Sequence, residues 1–121
     1  PEEYQDLPLT EQIDVWSLGN NMYTLLTGLE PFYDEKSSKL AIKRIIQGET
    51  AYIHPHYRER SKAEAMLVDI IQPCFAYQPE DRPSIFQIVN QLQVAVQENL
   101  SPGMTRANVL QGVKTRSWQV R

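Results

Sequence analysis

A chain of 121 residues with 41% hydrophobic and 22% charged residues has the make-up of one globular domain, which excludes two ordinary domains and argues against a collagenous or disordered protein. Its net charge of −3 supplies none of the clustered positive field that nucleic acid or an anionic membrane surface attracts. The lone cysteine, Cys74, excludes an intrachain disulfide, and no apolar run approaches the ~20 residues of a bilayer span, so an intracellular, cytoplasmic setting is expected.

The charge is unevenly spread. Residues 1–98 hold 8 Lys/Arg against 15 Asp/Glu, a balance of −7, whereas residues 99–121 hold 4 Lys/Arg and no acids, a balance of +4. The chain is therefore expected to divide into a folded body, 1–98, and a basic, disordered tail, 99–121, with one isolated aromatic at Trp118. It opens on Pro1-Glu2-Glu3-Tyr4, with neither an initiating Met nor a signal-peptide pattern. A natural N-terminus further upstream is expected, where targeting or membrane segments would be out of view.

In chain order, a helix is expected first over about 11–27. Ile13, Val15, Trp16, Leu18, Met22, Tyr23, Leu25 and Leu26 wrap nearly its whole circumference, as in a helix at the centre of a larger body. Thr10 is a plausible N-cap, and Gly28 stands where a glycine should close the helix. An amphipathic helix follows at about 37–47, with Leu40, Ile42, Ile45 and Ile46 among Lys39, Lys43 and Arg44. Residues 49–60 show no sustained period and contain Pro55, so they read as a loop. Ser61-Lys62-Ala63-Glu64 has the pattern of a capping box opening a helix over 62–72, with Met66, Leu67, Ile70 and Ile71 as its inner face and Pro73 after it. A second box, Ser84 to Gln87, opens a helix over 85–98, in which Ile85, Ile88, Val89, Leu92 and Val96 recur at helical spacing. No stretch alternates as a strand would. The expected class is all-α.

Three segments in order carry a resemblance. Pro1-Glu2 looks like the end of the Ala-Pro-Glu motif that closes a protein-kinase activation segment. Asp14-Val15-Trp16-Ser17-Leu18-Gly19, with Tyr23, Leu25-Leu26-Thr27-Gly28 and Pro31-Phe32, resembles the family's central lower-lobe helix and the turn after it. Pro79-Glu80-Asp81-Arg82-Pro83-Ser84, preceded by Cys74-Phe75, is similar to the approach to its last helix. The resemblance covers residues 1 to about 98 and implies the helical C-lobe portion of a protein-kinase domain.

The resemblance also implies roles. Glu2 would form a buried ion pair with Arg82, a fit between a carboxylate and a planar guanidinium fork. Asp14 would accept hydrogen bonds from backbone amides of the catalytic loop, positioning the active site without touching substrate. In this chain, which lacks that loop, it would be left as a low-dielectric carboxylate without its donors. Trp16 would fill space beneath the activation segment, and Gly19 would permit close helix packing. Asn20 and Asn21 depart from the family pattern, which places bulky aliphatic residues there, and Asn21 would be a buried amide needing partners.

The parent protein is accordingly expected to be an ATP- and Mg²⁺-dependent kinase acting on Ser or Thr of a protein substrate. Tyr specificity stays open, because the segments that separate the classes lie mostly upstream. These 121 residues contain no G-x-G-x-x-G, no His-Arg-Asp and no Asp-Phe-Gly, so no catalytic, cofactor-binding or metal-binding residue is expected among them and the fragment alone should be inactive. Two alternatives are a pseudokinase, hinted at by Asn20 and Asn21, and a helical protein-interaction scaffold. His54-Pro55-His56 reads as a loop of solvated imidazoles in preference to a metal site, and Cys74 beside Phe75 as a small hydrophobe in preference to a nucleophile. Lys39, Lys43 and Arg44 read as the wet face of their helix.

Overall fold

A computed structural model of the protein describes residues 1–100; the remainder of the basic tail, with Trp118, lies outside the described residues. A 3₁₀ turn at Glu3–Gln5 precedes α1 (Gln12–Thr27), α2 (Ser38–Ile46), α3 (His56–Arg60) and α4 (Lys62–Cys74). A second 3₁₀ turn at Pro79–Asp81 then leads into α5 (Ile85–Asn99). The described residues contain no strand. The class is all-α.

The local signals explain most of the boundaries. Gly28 takes the left-handed conformation, φ 72°, and its N–H returns to the Thr24 carbonyl, closing α1 in a geometry that strains most other residues. Ser37 and Ser61 each accept a backbone N–H from the first turn of the helix they open. Ser84 heads a complete capping box: its hydroxyl accepts from Gln87 N while the Gln87 side chain accepts from Ser84 N. At Ser61 the box is only half built. The Glu64 carboxylate accepts from the Ser61 hydroxyl and pairs with Arg60 at 2.6 Å, so it does not reach back to an end amide.

Two expectations need correction. Residues 49–60 are not loop throughout, since α3 occupies 56–60; Pro55, with φ −56°, sets the first turn, and five residues are too few to show a period. Pro73 lies inside the last turn of α4 and does not follow the helix. Helix α1 is apolar all round and, among the described residues, is covered on one side, as expected of a helix from the centre of a larger body. Val15, Gly19, Met22 and Tyr23 are buried, whereas Leu25 is 83% exposed.

The core forms where α4 packs against α1, α3 and α5. Ile70, Ile71 and Cys74 of α4 are buried there beside Tyr23, Phe75 and Ile88. Each large side chain so buried contributes roughly 1.5–3 kcal/mol of transfer free energy. The Tyr23 hydroxyl, carried into the core with its ring, donates to the Tyr52 carbonyl at 2.9 Å. Of the apolar positions on α5, only Ile88 is fully buried; Ile85, Val89 and Val96 remain exposed, because the described residues cover a single face of that helix.

Candidate functional site

The most organised polar feature is a joint between the start of the chain and the segment before α5. Arg82 follows the Pro79–Asp81 turn with extended backbone, φ −76° and ψ 149°, which sends its side chain back toward α1. Its Nη1 and Nη2 donate to the two oxygens of Glu2, each at 2.8 Å, a bidentate pair in which both residues are 4% exposed. The remaining donors are used as well. Nε donates to the Ala76 carbonyl at 2.9 Å, Nη1 to the Gln12 carbonyl at 2.9 Å and Nη2 to the Tyr77 carbonyl at 3.3 Å. A guanidinium has five N–H groups, and here all five have an acceptor.

This satisfaction is what lets a charge pair stay buried, because an unpaired ion there would carry a desolvation cost of several kcal/mol. The hydrogen bonds from Arg82 are the chief cause that holds the Glu2 carboxyl well below its ordinary range, at about 2. The indole of Trp16 lies 5.0 Å from the guanidinium carbon on one side and meets Phe75 edge to face at 5.2 Å on another. Gly19, one turn along α1, lies against α4: a Cβ there would stand 2.7 Å from Cys74 Cβ and 3.0 Å from Phe75 Cε1. Burial pushes the Cys74 thiol up to about 11 while it donates to the Ile70 carbonyl, so it stays a protonated packing group at neutral pH.

The structure thus brings four of the five sequence-derived residues, Glu2, Trp16, Gly19 and Arg82, to one continuous patch. Asp14 is elsewhere. It sits in the first turn of α1, where a carboxylate suits the helix dipole, and it is exposed, not a low-dielectric carboxylate. It lines a cleft of about 240 Å³ with Glu11, Gln12, Val15, Ser84, Ile85 and Phe86. Asn21 is likewise exposed and not a buried amide, and Asn20 is half-buried; both face a second cleft between α1 and α2. In each case the cause is the same uncovered side of α1.

Sequence reasoning missed Gln12. Its carbonyl is an Arg82 acceptor, and its side-chain Oε1 is buried without a partner. A glutamine in a first helical turn reads as ordinary surface, so nothing in the pattern marks it. Tyr77 was missed too: its hydroxyl donates to the Ile46 carbonyl and accepts from Gln5, tying α2 to the joint.

The other candidates resolve plainly. Arg44 is no free cation, being paired with Asp34, Glu35 and Glu49 and stacked on Phe32, while Lys39 and Lys43 are exposed. His54 and His56 approach each other, Nδ1 to Nδ1, at 2.6 Å on the surface, and among the described residues no three metal-binding side chains cluster. No described helix is long and apolar enough to cross a membrane.

The protein kinase domain family matches residues 1–93, which takes in the Glu2–Arg82 joint, α1 and the first half of α5. The chain belongs to the protein kinase family. The kinase chain is 35% identical over 89 residues to the serine/threonine-protein kinase srk1 of Schizosaccharomyces pombe, covering 74% of this chain and 15% of that protein. It is 33% identical over 104 residues to mouse serine/threonine-protein kinase Nek5, covering 84% of this chain and 16% of the relative. Human calcium/calmodulin-dependent protein kinase type IV is 32% identical over 87 residues, which cover 72% of this chain and 18% of the relative. This kinase chain therefore spans less than a fifth of the length of each of these relatives.

Proposed function

We propose that the chain is the C-terminal lobe portion of a protein kinase that transfers the γ-phosphate of ATP, with Mg²⁺, to Ser or Thr of intracellular protein substrates. The observation that carries this reading is the 35% identity to a serine/threonine-protein kinase along 74% of the chain. The described residues do not fit nucleotide or metal, for they offer neither a glycine-rich phosphate cradle nor a clustered set of metal ligands. ATP and Mg²⁺ would be held by other segments of such an enzyme.

On this reading the lobe's work is support. The Glu2–Arg82 pair fastens the end of the activation segment to the approach of α5, with Trp16 as its floor. Gly19 sets the close packing of α1 on α4. Asp14, exposed at the mouth of the 240 Å³ cleft, is available to accept amides of a catalytic loop. The exposed Leu25 and the exposed apolar residues of α5 would be covered by the rest of the kinase domain, which favours a lobe over a free-standing helical scaffold.

Phosphotransfer assays test the reading. With ATP and Mg²⁺, the 121 residues alone should transfer nothing, whereas the longer natural chain containing them should place phosphate on Ser or Thr of a protein substrate. Phosphotransfer by the 121 residues, or a longer chain that carries His-Arg-Asp and Asp-Phe-Gly yet stays inert, would overturn it.

A further inference from the structure

The imidazoles before α3 are the most ordered side chains that the kinase reading leaves unused. His54 and His56 flank Pro55, whose ring holds φ at −56° and takes freedom out of the turn. Their Nδ1 atoms face each other at 2.6 Å. Two bare lone pairs repel at that separation, so an electrophile belongs between them: a proton, with one ring as donor and the other as acceptor, or a metal ion.

Stacking fixes both rings in this arrangement. Tyr52 meets His54 edge to face with centroids 6.2 Å apart, the two imidazoles lie 4.4 Å apart, and Tyr57 covers His56 at 4.0 Å. The Arg60 guanidinium closes the ladder 5.2 Å from the Tyr57 ring. Its first rung is anchored to the core, because the Tyr52 carbonyl accepts from the buried Tyr23 hydroxyl. Its last is anchored through α3, which Arg58 ties to Asp69 and Gln72 of α4. The His56 backbone N–H donates to His54 Nδ1 at 3.1 Å and keeps that nitrogen turned inward. Side chains already set by packing lose little freedom on taking a ligand.

We propose that His54 and His56 together chelate a divalent transition-metal ion such as Zn²⁺ through their Nδ1 atoms. Imidazole nitrogens bound to Zn²⁺ at about 2.0–2.1 Å stand roughly 3 Å apart, so the pair has to open by only about half an ångström. Both rings then carry their proton on Nε2, and the ion replaces the proton and the amide contact at Nδ1. Among the described residues no third metal-binding side chain joins the pair, which leaves the other positions of the ion to water. The ion differs in kind from the Mg²⁺ of phosphotransfer, a hard cation that takes oxygen ligands. Neither the facing nitrogens nor the ladder is visible in the sequence, where the pattern alone favours solvated imidazoles.

The test titrates Zn²⁺ alone, in excess Mg²⁺, into the natural chain containing these residues, prepared without a histidine tag. His54→Phe and His56→Phe each keep a ring in the ladder and remove its nitrogens. A chelate is lost with either arm, so each single variant should bind at least about tenfold more weakly than the wild type, and the double variant no worse than either single one. Zn²⁺ should also move the ring resonances of both histidines of the unsubstituted protein in one step. Equal titrations of the wild type and the double variant would overturn the inference. So would additive losses in the two single variants, or resonances that move at different Zn²⁺ concentrations, since the imidazoles would then act as separate ligands.

Discussion

The joint around Arg82 and the outer side of α1 are both built by the same sixteen-residue helix, and they obey opposite rules. At the joint every donor of a buried guanidinium has its acceptor, two aromatic rings close the gaps and a glycine lets two helices meet. A few residues away, on the other side, Leu25 is 83% exposed, and Asn21 and Asp14 are exposed as well. Local completeness marks what these residues hold together themselves. Incompleteness, on the reading proposed here, marks where the rest of a kinase domain would rest. Stability measurements should therefore be sensitive at the joint and insensitive outside it.

The largest effect is expected at Arg82. Arg82→Ala leaves the Glu2 carboxylate buried without its partner and frees three backbone carbonyls, a loss of about 3–5 kcal/mol in urea unfolding. Glu80, exposed in the turn just before it, has no such partners among the described residues, and Glu80→Ala should stay within about 0.5 kcal/mol. If the two substitutions cost the same, the contrast between joint and surface breaks down.

Acid should probe the same pair from the other partner. The folded Glu2 carboxyl is lowered to about 2, against 4.5 for the group in the open chain. A lowered acid pKa means that the unfolded state binds the proton more tightly, so stability falls as pH drops. The contribution is fully present above about pH 5, fades between 4.5 and 2, and amounts to about 3 kcal/mol. In Glu2→Gln this part of the acid sensitivity should vanish, leaving a flatter stability profile between pH 5 and 2; an unchanged profile would mean that Glu2 is not the group responsible.

How far the sequence could be read follows from the same contrast. Helix positions were legible because Ser61, Ser84 and Gly28 are local signals that act within one turn. The pairing of Glu2 with Arg82, eighty residues apart, was reached only through resemblance, since no periodicity links the two. The three carbonyls that complete the Arg82 shell belong to Gln12, Ala76 and Tyr77, and a backbone acceptor leaves no trace in residue type. Burial was the least legible. The all-round apolar pattern of α1 reports what a helix is suited to contact, whereas the exposure of Leu25 reports which neighbours are present, and only the first is written in the helix itself. The short α3 escaped for want of length, a single turn started by Pro55.

A smaller effect is expected at Gly19, and it separates packing from polar contributions. The residue is helical, so alanine would be the better choice on propensity by roughly 1 kcal/mol. Space argues the other way. The added methyl would lie 2.7 Å from Cys74 Cβ, a backbone-anchored atom that no rotamer change can move, and 3.0 Å from Phe75 Cε1. Relief requires α1 and α4 to part by several tenths of an ångström, which would disturb the Trp16–Phe75 contact and the guanidinium stacked on that indole. Overpacking of this kind costs about 1–3 kcal/mol, so the clash should outweigh the propensity gain and leave Gly19→Ala less stable by about 1–2 kcal/mol. Pairing it with Cys74→Ser tests the cause only weakly, because the clashing atom is the Cβ that both residues share; Cys74→Gly removes that atom. The cost of Gly19→Ala should shrink in a Cys74→Gly background, measured as a double-mutant cycle, and strict additivity would show that the two helices do not meet at this point.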